Sequence, residues 1–150
     1  MNYEQTKFEA ILKMKSSESK PPKPLPKGTY ATTVAGFEYG KSAQKQTPFV
    51  QFSLRVQGPM DDVDQDELAE YGNVVGKTIR ATFYFYEPTD ESTYRVKAFL
   101  DNCKVNDSYD IELGERINAS VNCQVGALVK HRPSDDGTMM FADFVRSVEL

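Results

Sequence analysis

The sequence predicts a mainly β domain: a five-stranded Greek-key barrel with a helix between strands 3 and 4, carried behind an N-terminal helix and a proline-rich arm. Three observations lead there. Apolar side chains alternate with polar ones, with a period of two, in successive runs between residues 28 and 148. One acid-led helical stretch interrupts those runs after the third. Pro21, Pro22, Pro24 and Pro26 separate everything upstream from the barrel. At 150 residues the chain fits one domain, residues 28–150, with an extension, residues 1–27.

In chain order, residues 3–15 place Phe8, Ile11 and Leu12 at helical spacing, so a short amphipathic helix is expected. Its apolar stripe needs a cover, which its own barrel, a second subunit or a partner can supply. Residues 16–27 form a linker of polyproline character, with Lys20, Lys23 and Lys27 able to meet phosphates. The first strand is read as Thr29–Tyr39 and is followed by a polar, basic loop, Gly40 to Gln46. The second, Pro48–Gln57, turns Val50, Phe52, Leu54 and Val56 one way and Phe49, Gln51, Ser53 and Arg55 the other. An insertion, residues 59–75, contains a short helix over Asp64–Tyr71, ended by Gly72. The third strand, Lys77–Tyr86, sets Ile79, Ala81, Phe83 and Phe85 against Arg80, Thr82, Tyr84 and Tyr86.

Thr89 or Asp90 can cap the next helix, which runs to about Cys103 with Tyr94, Val96, Ala98 and Phe99 turned inward. A looser stretch, 104–114, holds Tyr109, Ile111 and Leu113. The fourth strand is expected over Arg116–His131, with Ile117, Ala119, Val121, Cys123, Val125, Ala127 and Val129 on one face and Gly126 at a bulge or bend. Pro133 to Gly137 make a hairpin turn into the fifth strand, Thr138–Val148. Strand, strand, strand, helix, strand, strand is the OB layout.

Composition narrows the function. No catalytic grouping emerges, and an enzyme is not expected. There is neither a phosphate-binding glycine loop nor a G-x-S-x-G elbow. His131 is the only histidine, which makes most zinc sites and His-dependent triads hard to assemble, and it reads as a hairpin surface residue. Asp61, Asp62, Asp64 and Asp66 lack the glycine of a calcium loop and read as a solvated acidic loop. Cys103 and Cys123 read as reduced, mostly buried side chains. Neither a metal nor a cofactor is expected. No apolar run approaches the ~20 residues that span a bilayer, and the first residues do not resemble a secretory signal, so no membrane association is expected.

Net charge is −4, but it is unevenly spread. Residues 59–75 hold six carboxylates and neither Lys nor Arg; outside them, 18 basic residues face 16 acidic ones. A basic face therefore remains open to an anionic partner. OB barrels bind oligonucleotides across strands 2 and 3, between the loop joining strands 1 and 2 and the loop joining strands 4 and 5. Here those places carry Lys41 and Lys45; Phe49 and Arg55; Arg80, Tyr84 and Tyr86; and Lys130 and Arg132. Aromatic rings stack on unpaired bases, and cations meet phosphates. The same aromatics also suit burial under the insertion or in a dimer interface.

Leu25-Pro26-Lys27-Gly28-Thr29-Tyr30, then Val34, Glu38 and Lys41-Ser42, resembles the opening of a family of small tailed-phage proteins from replication and recombination modules, commonly taken as OB-fold single-stranded-DNA-binding proteins. The Phe49-Val50-Gln51-Phe52 strand and the C-terminal hairpin extend the resemblance over residues 25–148. It implies little sequence preference, single-stranded DNA and other replication or recombination proteins as partners, and the cytoplasm of an infected host cell. Two departures stand out. The chain ends Arg146-Ser147-Val148-Glu149-Leu150 rather than in an acidic tail, and its N-terminal helix and arm exceed a minimal OB domain. Both point to self-association, a homo-oligomer through the arm. The rival expectation is a virion structural or decoration protein whose arm clasps a neighbour; a regulator acting through the acidic insertion is a third.

Overall fold

The computed structural model describes residues 3–16, 23–87, 89–105 and 111–150. They form α1 (Tyr3–Leu12), β1 (Gly28–Lys41), β2 (Pro48–Pro59), α2 (Gln65–Tyr71), β3 (Thr78–Tyr84), α3 (Thr89–Asn102), α4 (Leu113–Ala119), β4 (Gln124–Pro133) and β5 (Met140–Val148). The strands make one antiparallel open sheet in the order β3-β2-β1-β4-β5. Linker residues 17–22, the helix-start Pro88 and Tyr109 lie outside the described residues.

The period-two patterns set the sheet. Tyr30, Thr32 and Val34 of β1, Val50, Phe52, Leu54 and Val56 of β2, and Val125, Ala127 and Val129 of β4 are all fully buried on one face. β1 pairs with β2 along its length and with β4 over Gly28–Thr33. Its ladder with β2 slips at Ala31/Thr32 and at Val34/Gly36. Such bulges bend a strand and raise its twist. The edge strands β3 and β5, which run in the same sense, are thereby brought to face each other. Phe83 and Phe144 meet there with ring centroids 6.1 Å apart. α3 closes the core between them: Phe99 stacks on Phe52 at 4.5 Å and lies 5.4 Å from Phe83 and 6.4 Å from Phe144.

Three expectations are corrected. Two helices, not one, stand between β3 and β4, and β4 begins at Gln124 rather than Arg116. Leu113 and Ile117 also fit helical spacing, and Arg116 decides between the two patterns. Its guanidinium is buried, donating to Asp101 Oδ1 at 2.9 Å and to the Val105 carbonyl at 3.0 Å, which docks α4 against the end of α3. Asn122, with φ 74°, turns the chain into the strand, a conformation Asn tolerates. The inward stripe of α3 is Ser92, Val96, Phe99 and Leu100, so Tyr94 and Ala98 are exposed. Ser92 Oγ donates to the Tyr86 carbonyl at 2.8 Å and fixes that rotation of the helix. Gly126 sits in a regular ladder opposite Val148, where a Cβ would lie 3.0 Å from the Val148 carbonyl oxygen; the irregularity is at Leu128/Val129.

The acidic insertion covers the end of the sheet where β1 begins. Asp64 caps α2, accepting from the Glu67 amide at 3.0 Å. Asp62 accepts from the amide and hydroxyl of Thr29 at 2.9 and 2.8 Å, and Val63 packs on Gly28, whose φ of 134° no other residue adopts easily. Two of the four aspartates expected in a solvated loop are thus structural. Of the two free cysteines, Cys103 is buried, which pushes its thiol up to about 12, while Cys123 is only partly buried.

The bonds from Thr29 hold the Asp62 carboxyl below its ordinary value of 3.8. A carboxyl lowered on folding stabilises the native state fully above that ordinary value and loses its contribution as pH falls through the folded value. Asp62→Ala is expected to lower stability at pH 7 by about 1 kcal/mol in urea denaturation. The gap between wild type and variant should close as pH drops below the carboxylate range; a gap that persists in acid contradicts the clamp.

Candidate functional site

The outward residues of β2 and β3 stand opposite one another in register: Phe49 with Tyr84, Gln51 with Thr82, Ser53 with Arg80, and Arg55 with Thr78. At roughly 3.3 Å per residue this row is about 20 Å long. Its chemistry is sorted along its length. At one end Phe49 and Tyr84 meet edge-to-face at 5.5 Å, and Tyr84 and Tyr86 follow at 5.8 Å. Tyr84 is 37% and Tyr86 51% exposed. In the middle Gln51 Nε2 donates to Thr82 Oγ1 at 2.8 Å. The other end carries Arg55 and Arg80, with a long bond of 3.5 Å from Arg80 Nη1 to Gln51 Oε1.

Phe49 keeps its place through Gly40, its cross-strand neighbour on β1. A Cβ at Gly40 would lie 2.6 Å from Phe49 Cζ, so the ring rests directly on the glycine backbone. The loop that follows is a tight, hydrogen-bonded turn. Ser42 N–H donates to the Thr47 carbonyl, Gln46 N–H to the Ser42 carbonyl, and Thr47 N–H to Ser42 Oγ, each at 2.9–3.0 Å. Gln46 takes φ 55° there. This turn presents Lys41 and Lys45 beside the aromatic end, where neither forms an ion pair among the described residues.

Lys130 and Arg132 stand apart from that group. Val129 of β4 pairs with Gly28, so both lie beyond the start of β1, at the opposite end of the sheet from Lys41 and Lys45. Arg132 is engaged: its Nε donates to Asp143 Oδ2, and its guanidinium covers the Phe141 ring at 4.8 Å. Lys130 pairs across the ladder with Asp143. Of the nine expected residues, Phe49, Arg55, Arg80, Tyr84 and Tyr86 share one face, two lysines flank it at the loop, and two basic residues sit at the far end.

One further residue lies on this face, and another lies on the reverse side at its loop end. Tyr39, 59% exposed, leans on Phe37 with centroids 5.4 Å apart at the loop end of β1. It shares the inward side of β1 with Phe37, pairing with Val50, and is uncovered where the strand runs past the core toward the loop. Glu38 is the acid on this face, opposite Gln51. Away from it, His131 anchors the arm. Its Nε2 lies 2.7 Å from the Leu25 carbonyl, which can only accept, so this nitrogen carries the proton. Among the described residues, no group of three His, Cys, Asp or Glu side chains is placed to hold a metal ion. None of their helices is long and apolar enough to cross a membrane.

Gly40→Ala is expected to leave the sheet folded, because the atom in the way is the tip of a side chain. The Phe49 ring must swing off Tyr84, seen as loss of the Phe49–Tyr84 contacts and of their mutual ring-current shifts in NMR spectra. Unchanged shifts would show that the ring does not rest on Gly40.

A search of curated proteins finds no match to the chain. A family described as "Protein of unknown function (DUF669)" matches residues 12–144, from the last residue of α1 into β5. The chain therefore belongs to the DUF669 family.

Proposed function

We propose that this protein binds single-stranded DNA with little sequence preference, as part of a phage replication or recombination module in the infected cell, and that its sheet is an OB-type barrel. The observation that carries the reading is the outward row on β2 and β3, with rings at one end and guanidinium groups at the other. The strand order, the long bent β1 shared by β2 and β4, and the approach of β3 to β5 in the same sense all suit an OB barrel. Strands 2 and 3 are where such barrels take oligonucleotides. Phe49, Tyr84 and Tyr86 offer faces to bases, while Lys41, Lys45, Arg55 and Arg80 meet phosphates, with Lys130 and Arg132 outlying. The phage setting and the replication partners rest on the resemblance of residues 25–148 alone.

Eight tyrosines and no tryptophan make tyrosine emission the natural probe. Oligo-dT is expected to quench it with an affinity that falls steeply as salt rises. Tyr84→Ala should weaken binding by about 1–3 kcal/mol. No binding at low salt, or binding indifferent to salt, rejects the reading.

α1 exposes Phe8, Ile11 and Leu12, and Met14 follows just past its end, each at 50% or more. This uncovered stripe supports self-association through the arm. Replacing Phe8, Ile11 and Leu12 together by Asp should reduce the sedimenting mass to that of one chain; an unchanged mass removes the arm from assembly. The same stripe is the one feature that favours the rival reading, a virion protein clasping its neighbour. High copy number in purified particles, with no dT binding, would establish that instead.

A further inference from the structure

We infer that the cleft between the open edges of β3 and β5 is a phosphate subsite for the same single strand, completed by Lys23 from the arm. The inference rests on the single-stranded-DNA reading and extends it to an anion site off the β2–β3 face.

The cleft measures about 380 Å³ and is lined by Lys23, Tyr71, Lys77, Thr78, Arg80 and Asp143, among others. Three of these are cations. None of the three forms an ion pair among the described residues. The one carboxylate in the cleft, Asp143, is neutralised by Arg132 from outside it. Glu67 and Glu70 lie beyond Lys23, in the adjoining hollow under α2. β3 and β5 are the sheet's edges, so the backbone facing the cleft has no ladder partner. Arg80 belongs both to the outward row and to the cleft, so a strand lying on Tyr84 and Phe49 runs into the cleft without leaving protein. This continuity favours a nucleic-acid phosphodiester over an acidic peptide.

Lys23 is held at this cleft rather than tethered loosely. Two residues on, Leu25 is buried in the core and its carbonyl accepts from His131. The next carbonyl, that of Pro26, accepts from the buried Tyr30 hydroxyl at 2.6 Å. Burial pushes that hydroxyl up to about 12, so it remains a donor at any physiological pH. His131 is thus a positioning residue for Lys23, and the proximal arm is part of the binding surface.

The test is salt-dependent titration of the full chain with oligo-dT, comparing wild type with Lys23→Ala, Lys77→Ala and the double variant, each checked for folding by circular dichroism. Each lysine removed should make the slope of log K against log salt shallower by about 0.7, the value for one single-strand phosphate contact. Maximal tyrosine quenching should not change, since the rings are untouched. In a His131→Ala background, Lys23→Ala should no longer alter the slope, and His131→Gln, which keeps a donor, should restore the effect. If wild type binds dT and both lysine variants keep its slope, the subsite is overturned while the β2–β3 reading stands. If wild type binds no dT at low salt, both fall. Poly-glutamate competing as well as dT of equal charge would mark the cleft as an acidic-peptide site and also overturn the proposal.

Discussion

Everything in this fold hangs on β1 being paired on both sides while bent. It holds β2 along its length and β4 over its first half. Its buried row, Tyr30, Thr32 and Val34, reaches the core. Thr32 is a polar member of that row and is satisfied by donating to the Val125 carbonyl at 2.7 Å, so the β1–β4 ladder carries a side-chain bond in the interior. A flat β1 would leave β3 and β5 as distant edges. The two slips in its ladder curl the sheet until Phe83 and Phe144 share α3 as a common floor. The seam between the edges, and so the cleft that holds Lys77 and Arg80, is a by-product of that curvature.

The parts of the fold legible in the sequence are those in which burial follows a strict period. In β2 and β3 both faces can be read directly, because one side packs on the core and the other is free. The stretch from Arg116 to Cys123 misleads because alternation and helical spacing coexist there. A long-range bond, Arg116 to Asp101, selects the helix, and no local pattern encodes that partner. Tyr94 misleads for a related reason. A helix with apolar groups on more than one side takes its rotation from what it meets, here Phe52 and the Tyr86 carbonyl.

The candidate face is legible to the same extent as the strands that carry it. Alternation assigns Phe49, Arg55, Arg80, Tyr84 and Tyr86 to the outside, and register then makes them neighbours. Loop residues are harder. Sequence proximity to a hairpin says nothing about where the hairpin lies or whether its cations are already paired, and Arg132 is spent on Asp143 and Phe141. Lys23 and Lys77 do not stand out in the chain as a pair, because a seam between the two edges of a sheet has no sequence signature.

The negative net charge does not oppose an anionic ligand uniformly, since exposed charges act over about 8 Å at physiological ionic strength. The aromatic end of the β2–β3 row lies about 20 Å from its basic end along the strands, more than two such lengths. The insertion's Asp62 and Asp64 are bonded to Thr29 and to the first turn of α2, at the end where β1 begins. Glu67 and Glu70, by contrast, lie just past Lys23. Near the seam the insertion thus repels any phosphate that strays toward α2, while Lys77 and Arg80 attract on the other side. The acid that makes the chain anionic overall acts there as a wall. For the single strand proposed above, it would favour a path from Tyr84 toward Arg80 and Lys77, away from the clamp that fixes the start of β1.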